Sequence, residues 1–215
     1  MPETSRAISN RRLGVLISGR GTNLQALIDA TRDGRVDATI AVVISNRASA
    51  PGLERARRAG LDTLCIDHRA APSRDEHDRA LVRALRAHDV GLVCLAGYMR
   101  LVGAPLLEAF PNAILNVHPS LLPAFPGVDA QRQALDHGVK VTGVTVHLVT
   151  SELDNGPIVI QRATHVMDDD TAETLAARIL MAEHLAYPDA VKAVLDGGWR
   201  VEGRRFVRSG NVPPA

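Results

Sequence analysis

An amide and an imidazole stand two residues apart in Asn-Val-His-Pro-Ser, Asn116–Ser120, at the end of an apolar run. Residues spaced by two on a strand project to the same side, so Asn116 and His118 converge above the strand's carboxyl end. Pro119 then locks the exit of the chain. Such a pair suits polarising a carbonyl and holding a developing oxyanion. Taken alone, the histidine is equally well explained by a structural or surface role. A carboxylate is available downstream, where Asp154 sits in Ser-Glu-Leu-Asp-Asn-Gly-Pro, 151–157. Beside an imidazole, a carboxylate fixes the ring's orientation and favours its protonated form at neutral pH. Asp-Asn-Gly is also an ordinary turn. Ser120 lacks a nucleophile-elbow context, so direct transfer to a bound nucleophile fits better than a covalent enzyme intermediate.

A second candidate is Ser-Gly-Arg-Gly-Thr-Asn-Leu, Ser18–Leu24. Glycines here let backbone N–H groups approach an anion at a helix N-terminus. The stretch departs twice from a dinucleotide fingerprint. Leu24 occupies the third-glycine position, and Ser-Asn-Arg-Ala-Ser follows the second strand where a ribose-binding acid belongs. It also lacks the Lys-Ser/Thr pair of a P-loop. A single phosphate held by Gly21, Thr22 and Asn23 is the ligand that fits, with a ligand-free tight turn as the alternative. Eight histidines without an HExxH pair, and two cysteines, give little ground for a metal, so none is expected. Cys65 and Cys94 each fall in apolar strand-like runs and read as buried reduced thiols. Arg74 and Arg100 lie just after the third and fourth strands, positioned for an acidic substrate.

The elements that must position these residues follow from hydrophobic periodicity. Apolar runs at 12–18, 38–44, 62–66, 90–95 and 113–117 alternate with helical patterns after residue 22, at 53–60, at 75–88 and at 106–110. Strands separated by helices imply right-handed crossovers and a parallel sheet covered by helices on both faces. A proline-rich loop follows His118, then a short helix at 131–137. Two alternating segments, 142–149 and 157–166, predict an antiparallel pair. Thr171 is an N-cap for a long helix carrying Leu175, Ile179, Ala182 and Leu185 on one face, which Pro188 should kink or restart. Residues 199–207 predict a last strand or hairpin. The fold class expected is therefore α/β, mostly parallel, with an antiparallel C-terminal extension. The expected organisation is a flexible extension at 1–11, one domain at 12–207 with halves at about 12–111 and 112–207, and a tail at 208–215.

Composition narrows the function classes. Of 215 residues, 46% are hydrophobic, enough for a packed core and too many for a disordered chain. Twenty-five Lys and Arg against 24 Asp and Glu leave a net charge of +1, which provides no general drive toward nucleic acid or anionic lipid. At 3% aromatic, a base-stacking platform is disfavoured. No apolar run approaches the roughly 18 residues of a membrane helix. The first twelve residues lack an apolar signal core, so a cytoplasmic location is expected.

The motifs LISGRGTNLQALIDA, SNRASAPGLERAR, LAGYMRLV, NVHPSLLPAFPG, SELDNGP and EHLAYP, in this order and spacing, resemble the phosphoribosylglycinamide formyltransferase family from about Arg12 to Trp199. NxHPSLLP alone marks a wider formyltetrahydrofolate-using group that includes methionyl-tRNA formyltransferase and formyltetrahydrofolate deformylase. Those two carry extra domains for which the ends of this chain leave little room. The resemblance implies a Rossmann-like sheet and formyl transfer from 10-formyltetrahydrofolate, as co-substrate, to the amine of 5-phosphoribosylglycinamide in purine biosynthesis. It implies small-molecule partners only and a monomer or homodimer. A formyltetrahydrofolate hydrolase and a non-catalytic folate or nucleotide sensor are the alternatives. Carried over by residue, Gly21, Thr22 and Asn23 match the ribose-phosphate loop, and Asn116, His118 and Asp154 the catalytic trio. Arg74, Met99, Arg100, Leu101, Val102, Asn116, Ser151, Glu152 and Leu153 match the folate-binding walls, and Glu183 the residue that holds the substrate amine. His147 matches a histidine near the site, with a structural role equally open. The chain departs from the family at Ala124, where a basic residue is usual, at Asp129 and Gln131, where histidines are often found, and at Leu180 and Met181 in the tract before EHLAYP.

Overall fold

The computed structural model describes residue 8 and residues 10–209. Most of the expected extension and tail lies outside the described residues. Where the chain is first described without interruption it is already tied down, Arg11 reaching the Asp196 carboxylate at 3.1 Å.

Five strands form the parallel half: β1 (Arg12–Ile17), β2 (Thr39–Ser45), β3 (Thr63–Cys65), β4 (Leu92–Leu95) and β5 (Ile114–His118). They alternate with α1 (Thr22–Arg32), α2 (Pro51–Arg58), α3 (Arg74–Ala87) and α4 (Ala104–Ala109). After β5 come α5 (Ala130–Asp136), β6 (Val141–Leu148), β7 (Ile158–His165), α6 (Ala172–Leu195), β8 (Trp199–Glu202) and β9 (Arg205–Arg208). The single sheet has the order β3-β2-β1-β4-β5-β6-β7-β9-β8. Pairings from β3 through to β5 are parallel, and β5–β6 and β6–β7 are antiparallel. Right-handed crossovers put α1 and α2 on one face and α3 and α4 on the other. The expected α/β class and its antiparallel extension are both observed, and β8 and β9 close the sheet as the expected hairpin.

Strands β1, β2 and β4 are buried along nearly their whole length, as central parallel strands covered on both faces must be. Strand β3 differs. It is three residues long and forms the sheet's edge, so Cys65 is exposed, contrary to the buried thiol expected. An apolar run was there, but an edge strand has a neighbour on one side only. Cys94, on central β4, is fully buried as expected.

Helix α6 begins with Thr171 and Thr174 in a reciprocal capping box and runs unbroken for 24 residues through Pro188. The expected restart does not occur. Pro188 forgoes one backbone hydrogen bond, but it is buried with Tyr187, Ala190 and Val191, and that packing outweighs the loss. The Tyr187 hydroxyl is directed at two strand carbonyls, Leu95 on β4 at 3.0 Å and Leu115 on β5 at 3.2 Å, fixing the helix against the centre of the sheet.

The two cysteines should therefore differ in reactivity. Burial pushes the Cys94 thiol up to about 12, while Cys65 meets solvent. A thiol reagent such as dithionitrobenzoate should titrate one thiol in the native protein and two in denaturant, with mass spectrometry placing the native adduct on Cys65.

Candidate active site

The carboxyl end of β5 is where parallel neighbours give way to antiparallel ones. Asn116 lies in register with Leu95 of β4 on one side and His147 of β6 on the other. The spacing of two brings Asn116 and His118 to one side, and the turn between β6 and β7 carries Asp154 across to meet them. Asp154 Oδ2 is 3.4 Å from His118 Nδ1, and Oδ1 is 3.5 Å from Asn116 Nδ2. One carboxylate thus bridges the amide and the imidazole. The turn is tightly built: Asp154 has φ 48°, and a Cβ on Gly156 would lie 1.7 Å from the Leu148 carbonyl oxygen. Only glycine permits that approach.

Two further groups close on the carboxylate. His147 Nε2 sits 3.7 Å from Asp154 Oδ1 and 3.2 Å from the Asn116 amide, while its Nδ1 faces the Leu148 carbonyl at 2.9 Å. The Gly127 N–H donates to Asp154 Oδ2 at 2.8 Å. Burial by itself raises the Asp154 carboxyl; hydrogen bonds from His147 and Gly127, with the nearby His118, outweigh it and hold the group below the ordinary carboxylate range. Asp154 is therefore ionised at neutral pH. His118 is 4% exposed, and its Nε2 faces the Phe125 carbonyl at 2.8 Å. Both ring nitrogens thus face oxygen atoms, the Asp154 carboxylate on one side and the Phe125 carbonyl on the other.

The loop carrying Phe125 and Gly127 is pinned from beneath. Thr145 Oγ1 donates to the Ser120 carbonyl at 2.7 Å and accepts from the Leu122 N–H at 3.0 Å, and the Gln161 amide donates to the Leu122 carbonyl at 2.8 Å. Ala124 is exposed on this loop, and Asp129 and Gln131 lie just beyond it.

A family model described as "Formyl transferase" matches residues 11–191. The chain belongs to the formyl transferase family. It is 39% identical over 201 residues to the phosphoribosylglycinamide formyltransferase of Escherichia coli K12, covering 93% of this chain and 95% of that protein. It is 47% identical over 190 residues to the trifunctional purine biosynthetic protein adenosine-3 of Gallus gallus, of which the match spans only 19%. The crystal structure of glycinamide ribonucleotide transformylase 1 from Symbiobacterium toebii superposes with a TM-score of 0.91 at 59% identity, over 93% of this chain and 94% of that one.

In this member of the family the glycine loop lies on the parallel half of the same edge. Gly21, the N-cap of α1, is left-handed (φ 71°), and a Cβ there would lie 2.9 Å from the Cα of Gly52 at the start of α2. The first-turn N–H groups of Thr22 and Asn23 are those a helix leaves unbonded. Asn23 does more than line the loop. Its Nδ2 donates to Glu183 Oε2 at 2.6 Å, and its Oδ1 is buried without a partner among the described residues. Glu183, 8% exposed on α6, is thereby joined to the glycine loop. Met99, Leu101, Ser151, Glu152 and Leu153 are exposed beside the trio's edge, Arg100 and Val102 are half-buried, and Arg74 is exposed at the start of α3. Among the described residues no cluster of three or more His, Cys, Asp or Glu is arranged to hold a metal ion, and no helix is long and apolar enough to cross a membrane.

Sequence reasoning left His147 open and missed the clamps from Phe125 and Gly127. His147 could have been placed by noting that antiparallel pairing of 142–149 with 113–117 sets it opposite Asn116. Backbone clamps leave no signature in side-chain identity.

Glu183 supplies a pH test. Burial raises its carboxyl above the ordinary value, and the Asn23 hydrogen bond offsets this only in part. A raised acid costs no stability below its ordinary pKa, and the cost grows as pH rises toward the folded value. Glu183→Gln, which keeps an acceptor for Asn23, should raise the melting temperature at pH 7 and leave it unchanged near pH 4. Equal gains at both would show that ionisation is not the cause.

Proposed function

We propose that this chain is a phosphoribosylglycinamide formyltransferase, moving the formyl group of 10-formyltetrahydrofolate to the amine of 5-phosphoribosylglycinamide in purine biosynthesis. The observation that carries the reading is the Asp154 carboxylate within 3.5 Å of both His118 and Asn116 at one sheet edge. A module that only binds has no use for an ionised acid holding an imidazole beside an amide. The relatives' names supply the acceptor and the formyl group, the motif resemblance implies the folate donor, and two sub-sites at this edge suit the pair. The α1 N-terminus with Gly21, Thr22 and Asn23 suits a phosphate, and Glu183 behind Asn23 suits the adjoining amine. On the other side, the exposed apolar faces of Met99, Leu101 and Leu153 suit a flat ring system, with Arg74 and Arg100 available to the acidic tail of a folate.

The chemistry follows from the positions. The neutral amine attacks the formyl carbon, and negative charge gathers on the formyl oxygen. The Asn116 amide and the His118 imidazolium stabilise it. His118 Nε2 is engaged by the Phe125 carbonyl in this arrangement, so that carbonyl must yield its place to the formyl oxygen. Phe125 has φ 54°, a left-handed conformation costing a non-glycine residue about 1 kcal/mol or more, strain that a turn of this carbonyl would relieve. As the tetrahedral centre collapses, the bond from carbon to the folate nitrogen breaks. The proton lost by the amine passes by way of Asp154 to that nitrogen. Holding both substrates at one edge converts an encounter into an intramolecular step.

Removing one oxyanion donor from a preorganised site costs about 100–1,000-fold in turnover. Asn116→Ala and His118→Ala should each lose about that factor in kcat while still binding substrates. Near-normal turnover in either would remove its assigned role. Incubating wild type with 10-formyltetrahydrofolate alone should release little formate; rapid release without the amine would mark a hydrolase, and tight binding of both substrates without turnover a sensor.

A further inference from the structure

The segment from Tyr98 to Gly103 leaves the carboxyl end of β4, arches along the edge that holds Asn116, and enters α4. Its middle is open to solvent, Met99 and Leu101 being 64% and 54% exposed, yet the arch is fixed from below at both ends. Near its start the Met99 N–H donates to Ser18 Oγ at 2.9 Å, and that hydroxyl donates onward to Asn46 Oδ1 at 2.6 Å. At its far end the Gly103 N–H donates to Asp78 Oδ2 at 2.6 Å.

Asp78 lies on α3, is 2% exposed, and belongs to none of the groups assigned above. Its other oxygen is 3.6 Å from Nδ1 of His77, whose Nε2 is anchored on the Ile66 carbonyl at 3.0 Å. Among the described residues no lysine or arginine pairs with it. A carboxylate so buried is expensive to keep unless its few partners are well placed. Tyr98 at the other foot of the arch is buried as well, and burial together with the charge of Asp78 pushes its phenol above the ordinary value. The fit is close: a Cβ on Gly103 would meet Asp78 Oδ2 at 2.8 Å. One carboxylate thus stands beneath the far foot of the exposed arch, where it enters α4.

We propose that Asp78 is a positioning residue for the formyl donor, its hydrogen bond to Gly103 setting the height of the Met99–Val102 wall against which the donor's ring system packs. This rests on the reading above that the wall faces a folate. Asn116 and His118 stand on β5, Asp154 on the β6–β7 turn, and Thr22 and Asn23 on α1, all on elements other than the α3–α4 pair that the Asp78–Gly103 bond joins.

The test is steady-state kinetics with both substrates, alongside calorimetric titration with tetrahydrofolate. Loss of a hydrogen bond to a buried charge corresponds to about tenfold or more. Asp78→Ala should raise the KM for 10-formyltetrahydrofolate and weaken tetrahydrofolate binding by about that factor. Its kcat at saturation should stay within about threefold of wild type, and the KM for phosphoribosylglycinamide should not move. Asp78→Asn, which still accepts from Gly103, should recover most of the loss. Gly103→Ala, which crowds the same bond and leaves Asp78 in place, should reproduce a smaller donor-specific defect and serves if Asp78→Ala fails to fold. An unchanged donor KM, or equal rises in both KM values, would overturn the proposal while wild-type turnover upholds the function. A wild-type protein that neither turns over nor binds tetrahydrofolate would overturn both.

Discussion

The site depends on keeping one carboxylate ionised in a nearly closed space. The Asp154 side chain is 8% exposed, and a charge removed from water to that extent is tolerated only when its lone pairs are met. Here they are met from several directions: a backbone N–H from the loop after β5, an imidazole at the end of β5, an imidazole on β6, and the amide of Asn116. Each partner comes from a different position in the chain, so the carboxylate also organises them. The loop after His118, the β6–β7 turn and the two central strands are held in mutual register because they answer the same negative charge.

That arrangement explains why Asn116, His118 and Asp154 meet at the junction of two kinds of sheet. The parallel half offers a helix N-terminus at the carboxyl edge, suited to an anion. The antiparallel half offers a tight turn at the same edge, suited to carrying a side chain back over the strand end. Strand β5 belongs to both, and the neighbours of Asn116 are Leu95 on the parallel side and His147 on the antiparallel side.

Much of this could be read from residue order. Alternating apolar runs and helical patterns gave the parallel sheet, and the spacing of two between Asn116 and His118 placed them on one side before any coordinates. Motif resemblance linked Asp154 to them. What could not be read is instructive. The exposure of Cys65 depends on β3 being an edge, a property of strand order rather than of an apolar run. The continuity of α6 through Pro188 depends on core packing that local propensity does not contain. The clamps on His118 and Asp154 are a carbonyl and an amide N–H, groups every residue but proline possesses in full. Arg74 is visible at the start of α3, but Asp78, one turn along, stands out only once the fold buries it against the Gly103 N–H.

The Tyr187 hydroxyl, caught between carbonyls of two adjacent strands, does more than anchor a helix. Glu183 precedes it by four residues, one turn earlier on the same flank of α6. A helix is free to roll about its axis until something indexes it, and this phenol acts as the detent. Because the roll is stopped against β4 and β5, the carboxylate is aimed by the same sheet that carries Asn116, so its bearing on Asn23 and the glycine loop is set from the centre of the sheet outward.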